Sequence, residues 1–229
     1  MRDRERVGHE ADADGLVAQH WGWRPDWTPE RRNWWWYATF AHDPSVRRLA
    51  AAARAVIKPW APVDLVSDRW LHLTVAELGY AADFPRDLAY ECARRAHTNL
   101  ARLGTFDLQL GPVDTMPGAV VLRAHADPLR DLYDGLVDVI DDLRPGRVRQ
   151  RPFDPHVSVA YLHQDCRRGE LLSDDVLGTR PSAPRLTGTT RLDRLTLVEV
   201  VRDERHYWWT PRCVLTLPRS PDRHLRKVG

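Results

Sequence analysis

Two tetrads in this chain, His72-Leu73-Thr74-Val75 and His156-Val157-Ser158-Val159, set a histidine and a hydroxyl two residues apart inside otherwise apolar runs. Residues i and i+2 share a face of a strand, so His72 projects with Thr74, and His156 with Ser158. Leu71, Leu73, Val75, Val157 and Val159 then turn toward a core. Composition alone predicts roughly 0.15 such tetrads, so a chance pair has a probability of about 1%. Two opposed imidazoles suit acid-base work near neutral pH: one takes a proton from an attacking oxygen while the other gives one to a leaving oxygen. The hydroxyls of Thr74 and Ser158 can hold the non-bridging oxygens of a phosphate. We assign His156 as base and His72 as acid, an assignment the sequence leaves open to reversal.

Weaker readings are a pair of surface histidines, which the duplication disfavours, and a zinc site, for which no third ligand stands at a suitable spacing. His9, His20, His42, His97, His125, His163, His206 and His224 show no partner pattern and read as structural or surface groups.

The elements that must position the two motifs repeat with them. The histidines are 84 residues apart (156 − 72), and so are the helix openings Asp43-Pro44 and Asp127-Pro128 (127 − 43). One offset shared by a helix start and a histidine strand implies two equivalent halves, each strand, helix and histidine-bearing strand, with the motifs facing each other.

The rest of the pattern is that of an α+β fold. Strands are expected at Asn33 to Phe40, Val63 to Val66, Trp70 to Leu78, Phe106 to Leu110, Ala119 to Arg123, His156 to Leu162, Leu192 to Val201 and His206 to Leu217. Helices are expected from Asp43 to Ile57, from Pro85 to Leu103 and from Asp127, the first and third with an aspartate cap and a first-turn proline. The Gly-Pro and Pro-Gly stretch at 111–118 reads as a turn region, and Gly178 to Thr190 as a loop.

Composition bounds the partners. Net charge is +2, which is too mild to demand a polyanion, although the basic residues are nearly all arginine, whose planar fork suits phosphate. No apolar run approaches the roughly 20 residues of a spanning helix. The charged start of the chain lacks the apolar core of a secretory signal, so a cytoplasmic protein is expected. Cys92, Cys166 and Cys213 suggest neither a disulfide framework nor a zinc ribbon.

The paired motifs, the tryptophan-Leu-His-Leu-Thr form of the first and Arg151-Pro152-Phe153-Asp154-Pro155-His156-Val157-Ser158 at the second resemble the 2H phosphoesterase superfamily, in its 2′-5′ RNA ligase or cyclic phosphodiesterase-like group, over Trp21 to Pro218. The resemblance implies a bilobal α+β fold of two pseudo-symmetric antiparallel sheets flanked by helices, with a metal-independent site in the cleft between them and no cofactor. His72, Thr74, His156 and Ser158 match its site positions. Domain expectations are an N-terminal extension or strap (1–30), one bilobal domain (31–218) and a basic tail (219–229).

The activity implied is hydrolysis of 2′,3′-cyclic phosphates on RNA ends or small nucleotides by a monomer that meets no membrane. The alternatives are a 2′-5′ RNA ligase, a phosphoesterase for a non-RNA substrate, and a non-catalytic RNA- or nucleotide-binding module. Further candidate contacts with substrate are Arg151, Tyr37 and Arg123. The tryptophans between Trp21 and Trp36 read first as core packing and a strap across the sheet, and second as base-stacking groups.

Overall fold

In the computed structural model, which describes residues 15–22, 24–146, 152–173 and 186–219, the chain runs β1 (Leu16–Val17), β2 (Asn33–Thr39), α1 (Pro44–Ala55), β3 (Val63–Leu65), β4 (His72–Tyr80), α2 (Arg86–Asn99), β5 (Phe106–Met116), β6 (Ala119–His125) and α3 (Pro128–Leu143). It continues through β7 (His156–Leu162), β8 (Cys166–Arg167), α4 (Arg168–Leu171), β9 (Gly188–Leu192), β10 (Arg194–Asp203) and β11 (His206–Thr216). Strands β11-β10-β2-β4 form one antiparallel lobe and β7-β6-β5-β9 the other. The two sheets are continuous through one residue pair, Leu73 with Val157. This is the α+β, two-lobed arrangement expected. Strand β3 flanks β7, and β1 pairs with β8 in a separate ribbon.

Each lobe is roofed by a helix from the other half of the chain. Helix α1 leaves β2 yet packs on β7 and β9, while α3 leaves β6 and packs on β4. Helix α2 lies against α3 and β11. The apolar stripe of α3 (Leu129, Leu132, Leu136, Val139, Ile140) and the small one of α1 (Val46, Ala50, Ala53) enter the same core as Leu71, Leu73, Val75, Val157 and Val159. These residues turn inward because the strand alternation leaves them no other face.

Several boundaries differ from the sequence reading, each for a local reason. Asp43 caps α1 by accepting from the backbone N–H groups of Ser45 and Val46. Asp127 is itself helical and makes no side-chain cap bond, so Pro128 alone marks the start of α3. The stretch 111–118 is not one turn: β5 runs on to Met116 after a register shift between Leu110 and Val113, and the hairpin turns only at Pro117-Gly118. Strand β9 includes Gly188 to Thr190, which composition assigned to a loop. Its pairing with β5 buries Thr190 and Leu192 and leaves Thr189 and Arg191 outside, so polar residues occupy strand positions that composition reads as coil. Helix α2 ends at Asn99 and a 3-10 turn, Leu100–Arg102, follows it. The expected loop at 178–185, Arg151 and the tail from Ser220 lie outside the described residues. Among the described residues no helix is long and apolar enough to cross a membrane.

Candidate active site

The Leu73–Val157 pair is the centre of the site. Continued one residue in each direction, its antiparallel register sets His72 beside Ser158 and Thr74 beside His156, all four on the face opposite the core. The flanking strands obey the same offset: Thr39 and Tyr37 of β2 neighbour His72 and Thr74, while Arg123 and Val121 of β6 neighbour His156 and Ser158. A register shift in each histidine strand then turns the residue five beyond the histidine back to the cleft face. These residues are Glu77 on β4 and Tyr161 on β7.

Both imidazoles are oriented by the same backbone bond. His72 Nδ1 lies 2.8 Å from the carbonyl oxygen of Trp70, and His156 Nδ1 lies 2.7 Å from that of Asp154. A carbonyl only accepts, so each Nδ1 carries hydrogen and each Nε2 is left as the atom that exchanges a proton. Burial lowers His72 to about 4, against the opposing pull of the Trp70 carbonyl, and His156 adds to the lowering. His156 is lowered too, first by burial, with the Asp154 carbonyl and carboxylate working the other way. Both rings therefore rest neutral at pH 7.

Aromatic side chains frame His72. Tyr37 stacks on it with centroids 4.1 Å apart, and Trp209 meets it edge-on at 4.8 Å, backed by Trp70. The motif hydroxyls each pair with a tyrosine: Thr74 with Tyr37 and Ser158 with Tyr161. Burial pushes both phenols well above their ordinary range, so they serve as neutral hydrogen-bonding groups.

Of the other nominated residues, Tyr37 lies within this cluster. Arg123 is engaged in ion pairs, with Asp154 at 2.7 Å and Asp114 at 2.9 Å, which ties the residues before His156 to β5 and β6. Arg151 lies outside the described residues. Sequence reasoning missed Trp209, Tyr161 and Tyr207, because bulges and a distant strand bring them in; His20, read as a structural or surface group, packs against Tyr161 and Tyr207.

His20 belongs to a segment, residues 19–22 and 24–27, that bridges the lobes across the cleft face. Its N–H donates to the Leu162 carbonyl on β7, its ring stacks on Tyr161 at 4.3 Å, and its Nε2 lies 2.9 Å from the Tyr207 hydroxyl on β11. Burial, then the charges of Arg202 and His156, lower it to about 3, so it is neutral. Arg202, itself buried, donates to the carbonyls of Trp21 and Arg24. Arg24 in turn makes a two-pronged ion pair with Glu77, 2.6 and 2.5 Å, and Trp27 stacks on Trp35. Gly118 leaves the space for this segment, since a Cβ there would stand 2.7 Å from His20 Cα. The tryptophans thus divide: Trp34 and Trp36 enter the main core, while Trp27 and Trp35 pack on the cleft side with Tyr37 and Trp209. Trp23 lies outside the described residues. Among the described residues no three His, Cys, Asp or Glu side chains gather as a metal site would require.

The sequence profile of the 2′-5′ RNA ligase superfamily matches residues 42–204. No curated protein matches the sequence. Among solved structures, the chain is similar to TT0787 of Thermus thermophilus, with TM-score 0.60 and 20% identity over 82% of this chain and 100% of that one. It is also similar to E. coli LigT complexed with 3′-AMP, with TM-score 0.59 and 18% identity over 83% and 100%. A further similar structure is described as a phosphoesterase, with TM-score 0.56 and 18% identity over 82% and 99%.

Proposed function

Because the chain belongs to the 2′-5′ RNA ligase superfamily, the 2H phosphoesterases, we propose that it opens 2′,3′-cyclic phosphates on nucleotides or RNA ends by acid-base catalysis between two histidines. The observation that carries this reading is the matched pair of Nδ1 bonds to Trp70 and Asp154, which leaves two opposed Nε2 atoms on one face with a hydroxyl beside each.

In this reading His156, the more exposed ring, takes a proton through Nε2 from a water molecule as its oxygen bonds to phosphorus. The bond from phosphorus to the 2′ or 3′ oxygen breaks, and the imidazolium of His72 gives its Nε2 proton to that leaving oxygen. The turnover leaves His156 protonated and His72 neutral, and exchange with solvent restores both. Thr74 and Ser158, steadied by Tyr37 and Tyr161, donate to the non-bridging oxygens, whose charge grows in the transition state. The phosphate anion brings an opposite charge beside His72, and so raises its proton affinity on binding. Run in reverse with a 5′-hydroxyl for water, the same groups would join ends. The complex of LigT with 3′-AMP supports a ligand of nucleotide size.

The test is hydrolysis of the four 2′,3′-cyclic nucleotides and a cyclic-phosphate-ended RNA with EDTA present. Wild type should turn them over, and His72→Ala and His156→Ala should each lose about 10³-fold or more in kcat. Persistence of turnover in either folded variant would sink the two-histidine mechanism, and failure of the wild type on every substrate would reject the activity.

A further inference from the structure

We infer that the bridging segment, residues 19–22 and 24–27, is a specificity wall: it closes one side of the cleft, so the site takes a phosphate that carries one nucleoside and rejects a linear diester flanked by two. This rests on the phosphoesterase reading above. A 2′,3′-cyclic phosphate hangs from a single ribose, whereas a 2′-5′ linkage places a second nucleoside on the far side of the phosphorus. A cleft open on both sides serves either substrate. A cleft closed on one side serves only the first.

Three observations support the closure. The segment is anchored to both lobes on the face from which the motif residues project, through Leu162 on β7 and through Arg202, Glu77 and Trp35 on β10, β4 and β2. It is held by buried contacts rather than laid on the surface: Arg202 is 8% and Trp27 4% exposed, and the Arg24–Glu77 side chains 13% and 17%. Finally, His20 and Trp21 meet Tyr161, whose hydroxyl binds that of Ser158, so the wall begins one side chain away from a phosphate-holding group. A second nucleoside on that side would need the volume that the His20, Trp21 and Tyr207 rings fill. On the other side of the site, Trp70, half-buried and backed by the buried Trp209, offers apolar surface where a single base can stack.

The experiment compares the full chain on a 2′,3′-cyclic mononucleotide, a cyclic-phosphate-ended RNA and a 2′-5′-linked dinucleotide. It also measures equilibrium binding of a 2′-phosphate mononucleotide and of the 2′-5′ dinucleotide by quenching of tryptophan fluorescence. Wild type should favour the cyclic substrates over the diester by about 100-fold in kcat/KM, and bind the mononucleotide at least about tenfold more tightly. Arg202→Met, and separately the pair His20→Ala with Trp21→Ala, should raise the diester-to-cyclic ratio about tenfold or more by loosening or thinning the wall. The wall is overturned by a wild-type ratio near one, by equal binding of the two ligands, by binding of neither, or by an unchanged ratio in a folded variant. Absence of cyclic-phosphate turnover with preferential mononucleotide binding would instead reject the activity and keep the wall, and the binding arm remains decisive if both variants fail to fold.

Discussion

The ion pair between Arg24 and Glu77 gives the sharpest test of how the N-terminal segment is held. The two guanidinium nitrogens meet the two carboxylate oxygens at 2.6 and 2.5 Å, and Asn33 adds a third bond to Oε1 at 2.8 Å. With side chains only 13% and 17% exposed, solvent screens the pair weakly. Arg24→Met leaves a carboxylate out of water with a single amide to satisfy it, a loss of about 3 kcal/mol or more. Glu77→Gln is milder, because the amide oxygen still accepts one N–H from Arg24. The double variant removes both charges, so it should be more stable than Arg24→Met alone, with a coupling of about 2 kcal/mol. For an m-value of about 2 to 3 kcal/mol/M, the Arg24→Met loss moves the urea midpoint down by about 1 M. Equilibrium urea unfolding of the four proteins, followed by tryptophan fluorescence, measures the cycle. Additive losses, or an Arg24→Met loss under about 1 kcal/mol, would refute the account of a desolvated, mutually dependent pair.

Two further outcomes follow from the imidazoles. Both motif imidazoles are held below 6.5, so under the proposed mechanism the protonated acid becomes scarce as pH rises: kcat/KM should peak below pH 6.5 and fall about tenfold per unit above it, whereas a plateau reaching pH 8 would contradict this. Stability has the opposite slope. Between about pH 6.5 and 4 the unfolded chain takes up protons that native His72 and His20 refuse, so ΔG of unfolding falls as pH falls. At about 1.4 kcal/mol per pH unit, His72 alone accounts for about 3 kcal/mol across that window, and urea midpoints independent of pH there would refute it.

Much of this architecture was legible because it is written twice. The 84-residue offset, the strand alternation around Leu73 and Val157, and the proline-marked helix starts foretell two like halves with the motif histidines turned to one face. Harder to read were features that depend on irregularity or distance. Tyr161 and Glu77 reach the cleft face only because each strand carries a register shift, and a strict period of two would have hidden them. Trp209 and Tyr207 come from a strand at the far edge of the sheet, and no local pattern ties them to His72 or His20. His20 itself sits in a stretch without secondary-structure periodicity. Its placement depends on Gly118, Leu162 and Tyr207, which lie 98, 142 and 187 residues further along the chain. Arg123 was nominated from its strand position, which is readable in the sequence, whereas its ion-pair partners Asp114 and Asp154 are not.

The exchange of helices between lobes has a consequence for how such a molecule can move and be divided. Since α1 covers β7 and β9, α2 lies on β11 and α3 covers β4, each half-chain carries helices that cover strands of the other. Cutting the chain near residue 104 would therefore yield two pieces with bare apolar faces, interlocked like clasped hands and unable to fold apart. The same clasp forbids the lobes from swinging open as independent bodies. Whatever enters the cleft meets two histidines whose separation is set by the core beneath them.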